Sequence, residues 1–169
     1  VESAGVLRTD TRPTTLKTRF IARQQHVLRV DREETSGLPA EIRAELISFA
    51  EKAIPQQDAV IIQDYDKGVV TAEVCGRIIA ACRKHNVCVL VDPARNVDYA
   101  KYRGASCLKP NRTETAAATG QDLSDDEGVG RAAKMLIDDL GLDAVAITLD
   151  RDGMCMVDRD GEQTRVAAE

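Results

Sequence analysis

The chain has 169 residues, a formal net charge of −5, 43% hydrophobic, 30% charged and only 3% aromatic residues. The apolar share excludes a disordered chain, and no apolar run approaches the ~20 residues of a membrane-spanning helix. The acidic balance and the absence of Trp argue against a nucleic-acid binder, which needs a basic surface and stacking platforms.

A chain of this length suits one domain. Its five cysteines (Cys75, Cys82, Cys88, Cys107 and Cys155) are odd in number and contain no Cys-x-x-Cys pair. They read as free thiols in a reducing cytoplasm rather than as a disulfide framework. The start, Val1 to Gly5, lacks the basic and apolar regions of a signal peptide. It also lacks Met, which leads us to expect a piece of something longer.

In chain order, Thr14–Ile21 and Gln25–Asp31 are β-branched and partly alternating, which predicts a hairpin with one wet face. After Pro39 the period changes to that of a helix, with Ile42, Leu46, Phe49 and Ile54 on its inner stripe. Ala59–Ile62 is a short, wholly apolar strand. Thr71 is placed to cap a helix that turns Val74, Ile78, Ala81 and Cys82 inward and stops at Asn86. Val87–Val91 is a second apolar strand and Ala105–Leu108 a weaker one. Ser124 to Glu127 reads as a capping box opening a helix with Val129, Ala133, Leu136 and Leu140 inward, ended by Gly141. Strands follow at Ala144–Ile147, Met154–Val157 and Thr164–Ala167. Apolar strands alternating with amphipathic helices predict an α/β fold with a mostly parallel sheet covered on both faces.

Ligands of such sheets bind beyond the carboxyl ends of the strands. The segments there are Gln63–Gly68, Asp92–Arg95, Lys109–Asn111 and Thr148–Gly153, all polar. Asn111-Arg112-Thr113-Glu114 has two readings. It is a helix cap, with Glu114 reaching back to Asn111, and it is also a helix start suited to phosphate or hydrated Mg²⁺. Thr148 to Gly153 is either an ordinary strand-end turn or a loop offering a hydroxyl and backbone N–H groups to nucleotide phosphates. Asp64-Tyr65-Asp66-Lys67-Gly68 is either a solvated turn or a place where a carboxylate holds a sugar hydroxyl or sits near a metal and Lys67 meets a phosphate. Gly128-Val129-Gly130 is not a phosphate loop, because it lies inside a helix and lacks Gly-Lys-Ser/Thr. Cys82 and His85 have no second pair to complete a zinc site. There is no Gly-x-Ser-x-Gly elbow for a serine hydrolase.

Several segments occur together in one order: Thr11-Arg12-Pro13-Thr14-Thr15-x-Lys17-Thr18-Arg19, the strand from Gln24 to Asp31, and Asp64-Tyr65-x-Lys67-Gly68. They continue with Val91-Asp92-Pro93, Tyr102-Arg103-Gly104-Ala105, Pro110-Asn111-x-x-Glu114 and Thr148-x-x-x-x-Gly153-Met154. This set resembles the ribokinase-like (PfkB) carbohydrate kinases, and within them the domains that act on D-glycero-β-D-manno-heptose 7-phosphate.

The resemblance implies a ribokinase-like three-layer α/β/α fold with a small β lid, incomplete at both ends. Residues 1–169 would be a single partial domain, with the hairpin at 12–31 as the lid and 39–169 as the core. It implies ATP and Mg²⁺ as cofactors and a sugar phosphate as substrate, phosphorylated at its anomeric hydroxyl. It also implies a cytoplasmic homodimer formed through the lid.

Asn111 and Glu114 match the motif that places metal and phosphate. Thr148, Asp150 and Gly153 match the nucleotide loop, with Asp150 where many relatives carry Gly. Asp64, Lys67 and Gly68 fall on the substrate side. Ala94 stands where heptose kinases usually carry Lys, with Arg95 beside it. The family's Gly-Ala-Gly-Asp segment, which holds the catalytic base, is not in the sequence. Neither is the His-x-Gly-His motif of an attached nucleotidyltransferase. No catalytic residue is therefore expected within these residues, and the stretch alone is expected to be inactive. The competing expectation is a non-catalytic α/β module that binds a phosphosugar or nucleotide.

Overall fold

The computed structural model describes residues 3–95 and 97–168. Its first element is a hairpin of β1 (Leu16–Ala22) and β2 (Gln25–Arg32), which pair antiparallel as a separate two-stranded sheet. The register shifts between Phe20 and Ile21, a bulge that re-aims the strand tip. Thr18 opposes Val30 and Phe20 opposes Leu28, so Leu16, Phe20, Leu28 and Val30 share one face, and it is exposed.

The core follows as α1 (Ala40–Ala53), β3 (Ala59–Gln63), α2 (Ala72–His85), β4 (Cys88–Asp92), β5 (Cys107–Leu108) and α3 (Arg112–Thr119). It ends with α4 (Asp126–Leu140), β6 (Ala144–Thr148), β7 (Met154–Asp158) and β8 (Gln163–Val166). The six strands lie in sequence order, β3 to β6 parallel and β7 and β8 antiparallel. Parallel neighbours need crossovers, and crossovers are right-handed. A sheet that advances always in one direction therefore keeps its helices on one side.

Burial shows which side. Val89 and Val91 are fully buried beside Ile62, Val145 and Val157, while Ile61 is 71%, Leu90 37% and Met156 41% exposed on the other face. The described helices thus form one layer. The expected cover on the second face is not among the described residues.

Local chemistry explains most boundaries. Thr71 caps α2 by accepting from the Val74 N–H, and Asn86 ends it in a left-handed conformation. Helix α4 starts one residue later than expected. Ser124 is held by Asp122, so the Asp125 carboxylate takes the cap and accepts from the Gly128 N–H at 2.7 Å. Helix α1 opens after Pro39 without a side-chain cap. Its inward residue is Ile47, with Ile54 in the following turn, whereas Phe49 is 39% exposed.

Candidate functional site

A cleft of about 400 Å³ opens at the carboxyl ends of β3 and β4, lined by Gln63–Asp66, Asp92–Arg95 and Glu114. Asn111 caps α3 by accepting from the Glu114 N–H at 2.9 Å, and Glu114 Oε2 accepts from the Asn111 N–H at 2.9 Å. The capping box is therefore complete. It leaves Glu114 Oε1 facing Arg95 at 3.4 Å, with the side chain of Glu114 only 11% exposed. The first turn of the capped helix reaches the cleft through Glu114, and helix starts favour anions.

Strand β6 meets this helix start directly. Asn111 forms an isolated parallel bridge with Thr148, whose N–H donates to the Pro110 carbonyl at 3.0 Å. The structure thus brings Asn111, Glu114 and Thr148 together. The next residues are tied down by Arg112. Its guanidinium donates to the carbonyls of Leu123 and Leu149 and pairs with Asp152 at 2.8 Å. Asp150 adopts φ +55, a conformation that Gly takes without cost and Asp tolerates. Gly153 has φ +84, and a Cβ there would collide with the Val166 carbonyl. Its glycine thus has a structural reason in how β8 crosses it.

On the other side of the cleft, the Asp64 carboxylate turns inward and is 3% exposed. Lys67 pairs with Glu33 at 2.6 Å, outside the cleft lining, at the root of the hairpin. Gly68, at φ +72, packs so closely on the Thr35 and Ser36 carbonyls that no side chain fits. Arg12 completes this joint by donating to the carbonyls of Glu34, Ser36 and Lys67. Sequence reasoning offered both carboxylates of the Asp64–Gly68 loop without choosing between them, and it gave no role to Lys101, Tyr102 or Arg112. Tyr102 was visible as part of Tyr-Arg-Gly-Ala, but nothing in the spacing paired it with Asp64, 38 residues away.

The donor set can be tested against the implied cofactors. Asp66, Asp92 and Glu114 put carboxylates around a site whose helix end favours phosphate. Lys109 offsets Asp92 at 3.2 Å and Arg95 meets Glu114. An anionic nucleotide fits such a wall when a hard cation joins it, and Mg²⁺ uses one or two carboxylates with phosphate oxygens and waters. Among the described residues, no group of three or more His, Cys, Asp or Glu side chains is placed to hold a metal ion by itself. The Tyr99 hydroxyl lies buried without a partner among the described residues. Burial, with Glu114 and Asp92 adding to it, pushes that hydroxyl far above the ordinary tyrosine range.

The sequence matches the description "pfkB family carbohydrate kinase" over residues 1–169. It is 37% identical over 169 residues to "Bifunctional protein HldE" of Desulfatibacillum aliphaticivorans, covering 100% of this chain and 34% of the relative. It is 40% identical over 158 residues to the protein of that name in Paramagnetospirillum magneticum, covering 94% and 32%. The chain thus spans about a third of the length of these relatives.

Among solved structures, "Crystal Structure of Sa239" aligns with a TM-score of 0.80 at 16% identity, over 100% of this chain and 54% of the other. Ribokinase from Giardia lamblia aligns with a TM-score of 0.72 at 18% identity, over 95% and 50%. These similarities establish the ribokinase-like α/β fold. With the family match across every residue, they lead to one conclusion: the chain belongs to the pfkB family of carbohydrate kinases.

Proposed function

We propose that this chain is part of an ATP- and Mg²⁺-dependent kinase whose acceptor is a sugar phosphate. The acceptor we favour is D-glycero-β-D-manno-heptose 7-phosphate, taken at its anomeric hydroxyl toward an ADP-heptose precursor of lipopolysaccharide. The observation that carries the reading is the junction of Asn111 with Thr148 at the start of the helix whose Glu114 lines a carboxylate-bearing cleft beyond parallel strands. The similarity to HldE proteins favours the heptose acceptor.

The geometry supports the following roles. The N–H groups and dipole of α3 hold a phosphate. Glu114 Oε1 and Asp92 would hold Mg²⁺, which would neutralise charge on the phosphate oxygens. Thr148, with the turn at Asp150 to Gly153, meets the nucleotide. Asp66 faces the acceptor, and Lys67 and Gly68 join the hairpin to that wall. Phosphoryl transfer depends on positioning and charge stabilisation, which this wall supplies without a base of its own.

In this reading residues 12–31 form a lid over the sugar and 39–169 the core of a single partial domain. The apolar face of Leu16, Phe20, Leu28 and Val30 packs against a second copy in a cytoplasmic dimer. No described helix is long and apolar enough to cross a membrane.

The test is ADP release by the intact protein that contains this chain. ADP is expected with heptose 7-phosphate, and less with fructose 6-phosphate or ribose. ATP binding with no ADP release for any sugar phosphate would sink the kinase reading and support a binding module.

A further inference from the structure

We propose that Tyr102 and Lys101, which do not line the cleft, are positioning residues that act through the buried carboxylate of Asp64 to hold two walls of the cleft in register. The inference rests on the kinase reading for its link to activity. Its structural content stands apart from it.

Asp64 Oδ2 accepts from the Tyr102 hydroxyl at 2.7 Å and from Lys101 Nζ at 2.5 Å, while Oδ1 accepts from the Asp66 N–H at 2.8 Å. The Tyr102 oxygen in turn accepts from the Ala94 N–H at 3.3 Å. Lys101 also donates to the Val70 carbonyl at 3.2 Å. One carboxylate therefore links the segment after β3 to the segment after β4, the two that line the cleft beside Glu114.

The parts of this bracket are themselves fixed. Tyr102 is fully buried, and its ring meets the edge of Tyr99 at 5.7 Å. The side chains of Lys101 and Asp64 are 14% and 2% exposed. A buried ion pair contributes little net stability over an apolar pair, but it is directional and strongly disfavours the unpaired state. It suits a place where geometry matters more than stability.

What is held is unusual. Asp66 has φ +54, a conformation rare outside Gly, and the bond from its N–H to Asp64 locks it there. Such strain persists only where the surroundings over-determine it. The bracket supplies that constraint, and it presents Asp66 to the cleft. Burial, reinforced by the bond to Asp64, also keeps the Tyr102 hydroxyl protonated and donating.

The experiment uses the intact protein with Tyr102→Phe, which removes one oxygen and keeps the ring, and Lys101→Arg, which keeps the charge. Hydrogen exchange is read at the Asp66 and Ala94 amides, and steady-state kinetics for sugar phosphate and ATP separately. In Tyr102→Phe, protection at both amides is expected to fall by about tenfold or more while the amides of α4 stay protected. The kcat/KM for the sugar phosphate is expected to fall about 10- to 100-fold, with the KM for ATP within about twofold. Lys101→Arg is expected to retain most of both.

Unchanged exchange at Asp66 and Ala94 would overturn the bracket, whether or not the protein is a kinase. A matched loss of sugar phosphate and ATP affinity would reduce it to general destabilisation. Should Tyr102→Phe not fold, Lys101→Gln is read in the same way. If neither sugar phosphate nor ATP is turned over by the unsubstituted protein, the kinase reading fails and the exchange result still decides the bracket.

Discussion

In the proposed reading Glu114 carries two duties, one on each carboxylate oxygen. Its Oε2 closes the capping box with Asn111, and its Oε1 faces the cleft. Glu114→Gln keeps a side chain able to serve the cap but removes the charge. In the intact protein we expect an unchanged melting temperature and turnover lower by on the order of 10- to 1000-fold, read by ADP release. An unchanged rate would leave Glu114 with the cap alone.

Gly153 makes the opposite case. Its φ of +84 and the Val166 carbonyl beside it leave no room for a methyl group. Gly153→Ala is expected to cost about 2 kcal/mol or more in denaturant unfolding. Asp150 was read as standing in a glycine's place, and its φ of +55 shows why glycine suits it. That much was legible at single residues. The inward turn of Asp64 was not, because its partners come from a short turn at Tyr99–Tyr102 that no periodicity marks.

At the scale of elements, α4 was the most legible. Its buried residues Val129, Ala132, Ala133, Leu136, Ile137 and Leu140 recur at helical spacing. Leu136→Ala is expected to cost about 2–5 kcal/mol in the same measurement. Helix α1 was less legible, since it packs on α2 at the edge of the layer, where apolar residues need not be fully covered.

The hairpin was found by its β-branched residues, and its sheet stands apart from the core sheet. Its polar face is laced by Asp31, which accepts from Lys17 and Arg29 at 2.9 and 2.8 Å. Bonding to Lys17, and then to Arg29, holds the Asp31 carboxyl below its usual 3.8. A carboxyl with a lowered folded pKa stabilises the fold above its unfolded pKa, and that stabilisation is lost as pH falls through the folded value. Order in the hairpin is therefore expected to decline as pH falls below about 3.8, followed by NMR shifts of β1 and β2.

For the whole molecule, the sheet advances in one direction and covers one face. Alternating polarity along the strands did not announce this. Ile61, Leu90 and Met156 are apolar like their buried neighbours, so the sequence reads as a strand buried on both sides. Only the strand order, which depends on contacts far apart in the chain, shows that the helices lie together. Cys88 lies on the open face while Cys75, Cys82 and Cys155 are buried, and burial raises the Cys75 thiol to about 11. A thiol reagent at pH 8 should therefore leave those three unmodified until unfolding, since the thiolate is the reactive form. Cys88 then reports the open face. It should react quickly in this 169-residue polypeptide and slowly in the intact protein if further chain covers that face.

Strand β5 is only two residues long, between β4 and β6 of five each. In the register, Leu108 lies opposite Val145, so β6 continues three residues further, to Thr148. Asn111, three residues past Leu108, bridges Thr148, so the chain keeps this register over roughly 10 Å, at ~3.3 Å per residue. Helix α3 therefore begins level with the end of β6, after the Pro110 carbonyl accepts from the Thr148 N–H. The spacing from Leu108 to Asn111 thus acts as a ruler for the height of the helix end. Chain length between Leu108 and Asn111 should be inflexible even where residue identity is not, whereas the turn from Gly120 to Ser124 has no such measure to keep.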